Sequence, residues 1–248
     1  MFTLLPLAAA FVLVVIRCSC LFALMPLFGL PAVPARVRGA AAVAVSVAAF
    51  LGAGAPSFAA WDHADRIVVA ALSEALLGLT AGLAARLALD AAAAAGSAIA
   101  MAMGLSLAAT YDPIHGSDSP AVSQVLLLLA LGLAVAGGIH REAVAWLCRS
   151  LVEMPPGSPV SLGDLAARVV GQAAGSIALA IRMAFPVLAA VTFGHMSLGL
   201  LNRTMPQLGL SNLGFAVALL AGVAALYLVA PSAARMASEA AHLALAGH

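Results

Sequence analysis

Glu74, Arg86 and Asp90 stand in otherwise apolar sequence with Gly78 and Gly82 between them, one residue in every four. On a helix that interval keeps neighbours on one slowly turning face. Ionisable groups at membrane depth cost about 3 kcal/mol each unless they face protein or water, and glycines let another backbone approach closely. Such a row has two possible uses: a path for protons or ions, or an inter-subunit packing seam with its charges paired. No proline interrupts it, whereas transport sites are built on broken helices near the midplane, so packing is the favoured use. A second row at the same spacing is His195, Gly199, Arg203 and Gln207. An unperturbed histidine titrates near pH ~6.5 and has the chemistry of a proton relay, but the plainer role for His195 is a hydrogen-bonded core histidine. Arg17 and Arg182 are single cations in apolar runs, suited to pairing with a carboxylate or with backbone carbonyls.

Much chemistry is excluded. All 11 cations are arginines, so a Walker A phosphate loop, a Schiff-base nucleophile and a Ser/Lys hydrolase lack their amine. A Gly-x-Ser-x-Gly elbow and a His-Glu-x-x-His pair are missing, and Cys18-Ser-Cys20 has no second half. The third cysteine, Cys148, leaves an odd count that argues against a disulfide framework. We therefore expect no catalytic residue, no metal and no cofactor. A net charge of +1 gives no basic surface for nucleic acid.

The elements that carry these residues belong to a membrane protein. Of 248 residues, 64% are hydrophobic and 8% charged, with mean hydropathy +1.12, far from the roughly 25% charge of a soluble domain. Apolar stretches run from Phe2 to Ile16 (on to Phe28 across Arg17), Gly39 to Ala60, Ile67 to Ala85, Leu87 to Ala109, Ala121 to Ile139, Val169 to Asn202 and Thr204 to Ala234. Period-2 alternation is absent, so the fold class is all-α: a polytopic helical membrane protein of six or seven helices. Arg86 divides two of these stretches, yet its flanks lack a helix breaker, so 67–109 also reads as one long helix. The interval from His140 to Arg168 reads as the main non-spanning segment, and Asp112 to Pro120 as a loop. The charge bias of the loops places the N-terminus outside. Arg17 follows the first apolar run instead of preceding it, so that segment is expected to stay rather than be cleaved.

LGLLNRTMPQL, Leu198 to Leu208, resembles the signature of the FliR family of type III protein-export gates. Further pieces follow in the family's order: Arg17 then Pro26; Glu74, Gly78 and Gly82; AGSAIAMAMGLSLAATYDP from Ala95 to Pro113; Gly138 and His140; Ser150; and Pro155 to Pro159. The chain departs from the family pattern at Ser211, usually aromatic, and at Ala216, usually proline. The resemblance implies a non-enzymatic subunit that assembles with FliP-like and FliQ-like proteins into a pore for unfolded flagellar proteins. FlhB-like and FlhA-like export proteins would be neighbours, and the site the bacterial inner membrane at the flagellar basal body. It implies a FliP-like part over about 1–170 and a FliQ-like hairpin over about 171–248. It also implies a plug loop within Leu105 to Val122, with Leu107, Tyr111, Asp112, Pro113, His115 and Gly116 as its residues. Assembly and packing would fall to Arg17, Glu74, Gly78, Gly82, Arg86, Gly199, Arg203, Pro206 and Gln207. Two other readings are an export-gate subunit of an injectisome and a proton-coupled transporter using Glu74, Arg86, Asp90 and Arg182.

Overall fold

The computed structural model describes residues 4–26, 34–58, 64–105, 121–204 and 214–246. Alanine and leucine, the strongest helix formers, fill these segments, and every regular element among the described residues is an α-helix. They are α1 (Leu4–Leu24), α2 (Ala35–Gly52), α3 (Ala64–Ala102), α4 (Ala121–Gly137), α5 (Ile139–Glu153), α6 (Leu162–Thr204) and α7 (Gly214–Ala246). Five are long and apolar enough to cross a membrane, and α4 with α5 passes the same test as a pair bent by 61°. The protein is thus an all-α polytopic membrane protein.

Two boundaries differ from the apolar stretches. Residues on either side of Arg86 form a single 39-residue helix, α3, because one side chain long enough to reach a polar surface does not break a backbone surrounded by alanine. The interval from His140 to Arg168 is mostly helical. It holds α5, which buries Ile139, Trp146, Leu147 and Leu151 while exposing His140, Arg141, Arg149 and Glu153. This is an amphipathic helix, and its polar face hid it from a reading based on continuous hydropathy.

The chain forms two compact units interleaved along the sequence. The first comprises Met1–Leu87, Val135–Ala174 and Ala240–His248. Here α1 packs on α2, with Phe11 and Phe50 edge to face at 5.5 Å, and α2 also meets α5. The tip of α7 docks against the end of α4 and the second half of α5: the His242 ring lies over Gly137, and Arg149 donates to the Leu245 carbonyl at 3.3 Å, capping the helix end.

The second unit comprises Ala88–Ala134 and Gly175–Glu239. Gly96 of α3 receives the backbone of Ser123 on α4, and the Ser123 and Ser97 hydroxyls both donate to the Ala93 carbonyl, at 2.7 and 3.0 Å. Gly222 of α7 receives the side chain of Met103, just beyond α3. Gly194 of α6 lies against Val217 and Ala221 of α7.

The bend between α4 and α5 turns on Gly138, whose φ of +90° is left-handed and whose Cβ, if present, would strike the Arg141 guanidinium. Gly132, inside α4, has open space around it. Gly138→Ala should therefore destabilise the protein by about 1–2 kcal/mol, whereas Gly132→Ala should be neutral or stabilise by up to about 1 kcal/mol. Thermal unfolding of the two detergent-solubilised variants checks this; equal melting temperatures would remove the strained turn from the account.

Candidate functional site

Arg17 on α1 and Glu74 on α3 are both fully buried and form an ion pair. The contact is bidentate: Arg17 Nε donates to Glu74 Oε2 at 2.5 Å and Nη2 to Oε1 at 3.0 Å. The guanidinium's other contacts reach α5 and the turn after it, with Nη1 donating to Ser150 Oγ at 3.1 Å and Nη2 to the Met154 carbonyl at 3.0 Å. The backbone N–H of Gly157 donates to Glu74 Oε1 at 2.9 Å. One pair of side chains thereby ties together α1, α3, α5 and the turn that leads into α6.

Glycines permit the approach. A Cβ on Gly78 would overlap the Arg17 carbonyl oxygen, and one on Gly82 would lie 2.6 Å from the Leu21 carbonyl oxygen. The contacts advance in the same direction along both chains, so α1 and α3 pack in parallel. Gly157, at φ +86°, has the Phe58 ring where its Cβ would be. Phe58 is itself held by its N–H on the Pro6 carbonyl at 3.1 Å.

The four-residue row therefore divides. Glu74, Gly78 and Gly82 face α1 of the same chain, not a neighbouring subunit as an inter-subunit seam would require. Arg86 and Asp90 are exposed, because each step of four residues turns the face by about 40°, and three or four steps carry it off the α1 contact. Arg17 meets its carboxylate, while Arg182 is exposed and has no polar partner among the described residues. His195, Gly199 and Arg203 are exposed on α6, and no atom lies within 4 Å of where a Gly199 Cβ would be. His195 is thus not a core histidine within this chain. Pro206, Gln207 and the loop residues Leu107, Tyr111, Asp112, Pro113, His115 and Gly116 lie outside the described residues.

Sequence reasoning did not assign Ser150, Met154, Gly157 and Phe58 to the node. Three of them contribute through backbone or ring position, which residue type does not announce; the signal available was the Pro155-Pro156-Gly157 turn. Chemically the node is a clamp. All three contacts on the Glu74 carboxylate come from N–H donors, so a protonated Glu74 would find no acceptor among them, and the geometry does not suit a proton relay. Among the described residues no group of three His, Cys, Asp or Glu side chains converges to hold a metal.

Comparison with known proteins matches the chain, over residues 8–243, to the family described as bacterial export proteins, family 1. The chain belongs to this family. FliR-type relatives bear the name flagellar biosynthetic protein FliR. That of Bacillus subtilis (strain 168) is 30% identical over 209 residues, covering 83% of this chain and 80% of the relative. That of Escherichia coli (strain K12) is 28% identical over 232 residues, covering 90% and 87%. Membership makes the protein a membrane component of bacterial protein export, and in this export protein the buried pair is part of the scaffold.

Removing one member of a buried pair strands the other, so Glu74→Leu or Arg17→Leu alone should cost about 3–5 kcal/mol. The double variant should be less destabilised than the two added together, by about 2 kcal/mol or more. Melting temperatures of the purified variants test this, and additive effects would mean that the two charges do not depend on each other.

Proposed function

We propose that the chain is a non-enzymatic subunit of the flagellar type III export gate, in the bacterial inner membrane at the basal body. The observation that carries this reading is the family match across nearly the whole chain, supported by relatives that bear the flagellar name at 28–30% identity. In this reading it assembles with FliP-like and FliQ-like subunits around the path of unfolded flagellar proteins, with FlhB-like and FlhA-like proteins as neighbours. Residues 1–170 take the FliP-like role and 171–248, which hold most of α6 and all of α7, the FliQ-like role. The driving energy comes from elsewhere in the apparatus, in keeping with a chain that has no phosphate-loop lysine.

Two features of the fold suit a subunit of an assembly. The buried clamp keeps α1, α3 and α5 together without a partner, so the rest of the surface is free to bind one. His195, Gly199 and Arg203 then form an exposed row in which the open glycine lets a neighbouring helix approach. Leu107 to Gly116 is assigned the plug. Its flanks support the assignment: Met103 before it is buried against Gly222, and Ser123 after it bonds to Ala93. In sequence the segment joins an aromatic, Tyr111, to the Asp112-Pro113 pair and then to Gly116 and Ser117.

The reading requires that the affinity-tagged chain retain FliP-like and FliQ-like proteins on purification, and that Gly199→Leu lower their yield at least tenfold while the chain itself stays in the membrane. Retention of neither partner by the parent chain would overturn it. Deleting Ile114 to Asp118 should leave the complex assembled but leaky to small ions, read as slowed growth and loss of ion tightness with export at least partly kept. An assembled deletion variant as tight as the parent would end the plug assignment.

A further inference from the structure

The strap that leads from α2 to Phe58 is strained, and neither the clamp nor the export reading gives that strain a use. α2 closes on a Schellman cap: the Gly54 N–H donates to the Leu51 carbonyl at 3.1 Å and the Ala55 N–H to the Phe50 carbonyl at 3.0 Å. Such a cap needs one left-handed residue, and Gly54 at φ +79° supplies it. Ala55 adds a second at φ +52°, and among the described residues it is the only one besides glycines with positive φ. A residue with a Cβ is disfavoured there, and the conformation persists only where surrounding contacts hold it.

The holding contacts lie at the far end of the strap. Three residues on, the Phe58 N–H donates at 3.1 Å to the carbonyl of Pro6, in the first turn of α1. The Phe58 ring, 8% exposed, lies over Gly157. The strap thus runs from the end of α2, past the start of α1, to the turn between α5 and α6. All of these pieces belong to the first compact unit.

The turn matters because little else holds α6 where it begins. From Leu162 to Ala174, the part of α6 in the first unit, Leu165 alone is buried. The direction in which the helix leaves is therefore set by the turn before it. That turn has three fixed points: the Met154 carbonyl on Arg17, the Gly157 N–H on Glu74, and the Phe58 ring on Gly157. The first two belong to the clamp, and the third is carried by the strained strap.

We propose that residues 53–58 form a releasable latch on the exit into α6. When it is closed, the Phe58 ring keeps the Gly157 N–H turned to Glu74 and fixes the course of α6. When it opens, Ala55 relaxes to negative φ, the ring leaves Gly157, and the turn swings beyond Met154 while Arg17 and Glu74 keep their bidentate contact. The strain at Ala55 brings the two states closer in free energy, and a glycine there would hold the latch more firmly closed. A ring that served only as packing would, when removed, loosen the clamp and the turn together. The latch lies within the first unit and involves no partner, so this inference goes beyond the export reading and fails separately from it.

The test is hydrogen–deuterium exchange of the detergent-solubilised full chain, comparing the peptide over residues 154–161 with peptides around Arg17 and Glu74. Phe58→Ala should speed exchange at 154–161 by about tenfold and leave the other two peptides within about twofold of the parent. Phe58→Leu, which keeps an apolar side chain on the turn, should restore most of the protection. Ala55→Gly should slow exchange at 154–161 by about fivefold, because it relieves the strain of the closed state alone. It removes a single methyl group, so it decides the matter even where Phe58→Ala yields no folded protein. Unchanged exchange at the turn in Phe58→Ala, equal acceleration around Arg17 and Glu74, or unchanged or faster exchange in Ala55→Gly would each overturn the latch and leave the export reading standing.

Discussion

A guanidinium and a carboxylate, both removed from solvent, set the terms for the first compact unit. Taking two charges out of water costs several kcal/mol per ion, and their attraction offsets that only when the remaining donors and acceptors are also satisfied. Arg17 and Glu74 meet this condition by recruiting Ser150, the Met154 carbonyl and the Gly157 N–H. Each recruited group belongs to a different part of the chain from the pair itself. Satisfying two side chains therefore fixes three helices and one turn, and glycine follows as a requirement: Gly78 and Gly82 keep the α1 and α3 backbones close enough for the short bidentate contact. The pair adds less to net stability than to uniqueness of arrangement, since few other packings would leave neither charge stranded.

How much of this was legible depends on what each residue type advertises. Arg17 and Glu74 stand out because an ionised group in an apolar run must have a partner, and the glycines at Gly78 and Gly82 mark a close backbone approach. The identity of the approaching helix was not legible. Spacing says that a face is shared, but it does not say whether the partner is α1 of the same chain or a helix of another. The clamp's other half was hidden for a different reason, because a backbone N–H at Gly157 and a carbonyl at Met154 are present at every residue and become special only through geometry. Class and the long apolar helices could be read from hydropathy, whereas α5 could not, since its polar face interrupts the apolar run that hydropathy detects.

The same asymmetry explains why α6 resisted sequence reasoning. Its row of His195, Gly199 and Arg203 has the same four-residue spacing as the row that begins at Glu74, yet the first is exposed and the second is partly buried. Identical spacing gave opposite environments because spacing constrains orientation around a helix axis and nothing else. What separates the two rows is the presence of a complement elsewhere in the chain. Glu74 has Arg17; Arg182 and Arg203 have no opposite charge paired to them among the described residues. Among the described residues, then, nothing complements these two cations as Arg17 complements Glu74.

Helix continuity adds a mechanical step. The 39 residues of α3 contain no proline and pass from one compact unit into the other without a break at Arg86. By contrast, α6 and α7 carry Pro186 and Pro231, both within the second unit. Proline removes an intrahelical hydrogen bond and concentrates bending near its position. Bending in α6 and α7 is therefore focused within the second unit, away from the Arg17–Glu74 clamp. α3 is held at Glu74 in the first unit and at Gly96, on Ser123, in the second, so each unit fixes its own stretch of that helix.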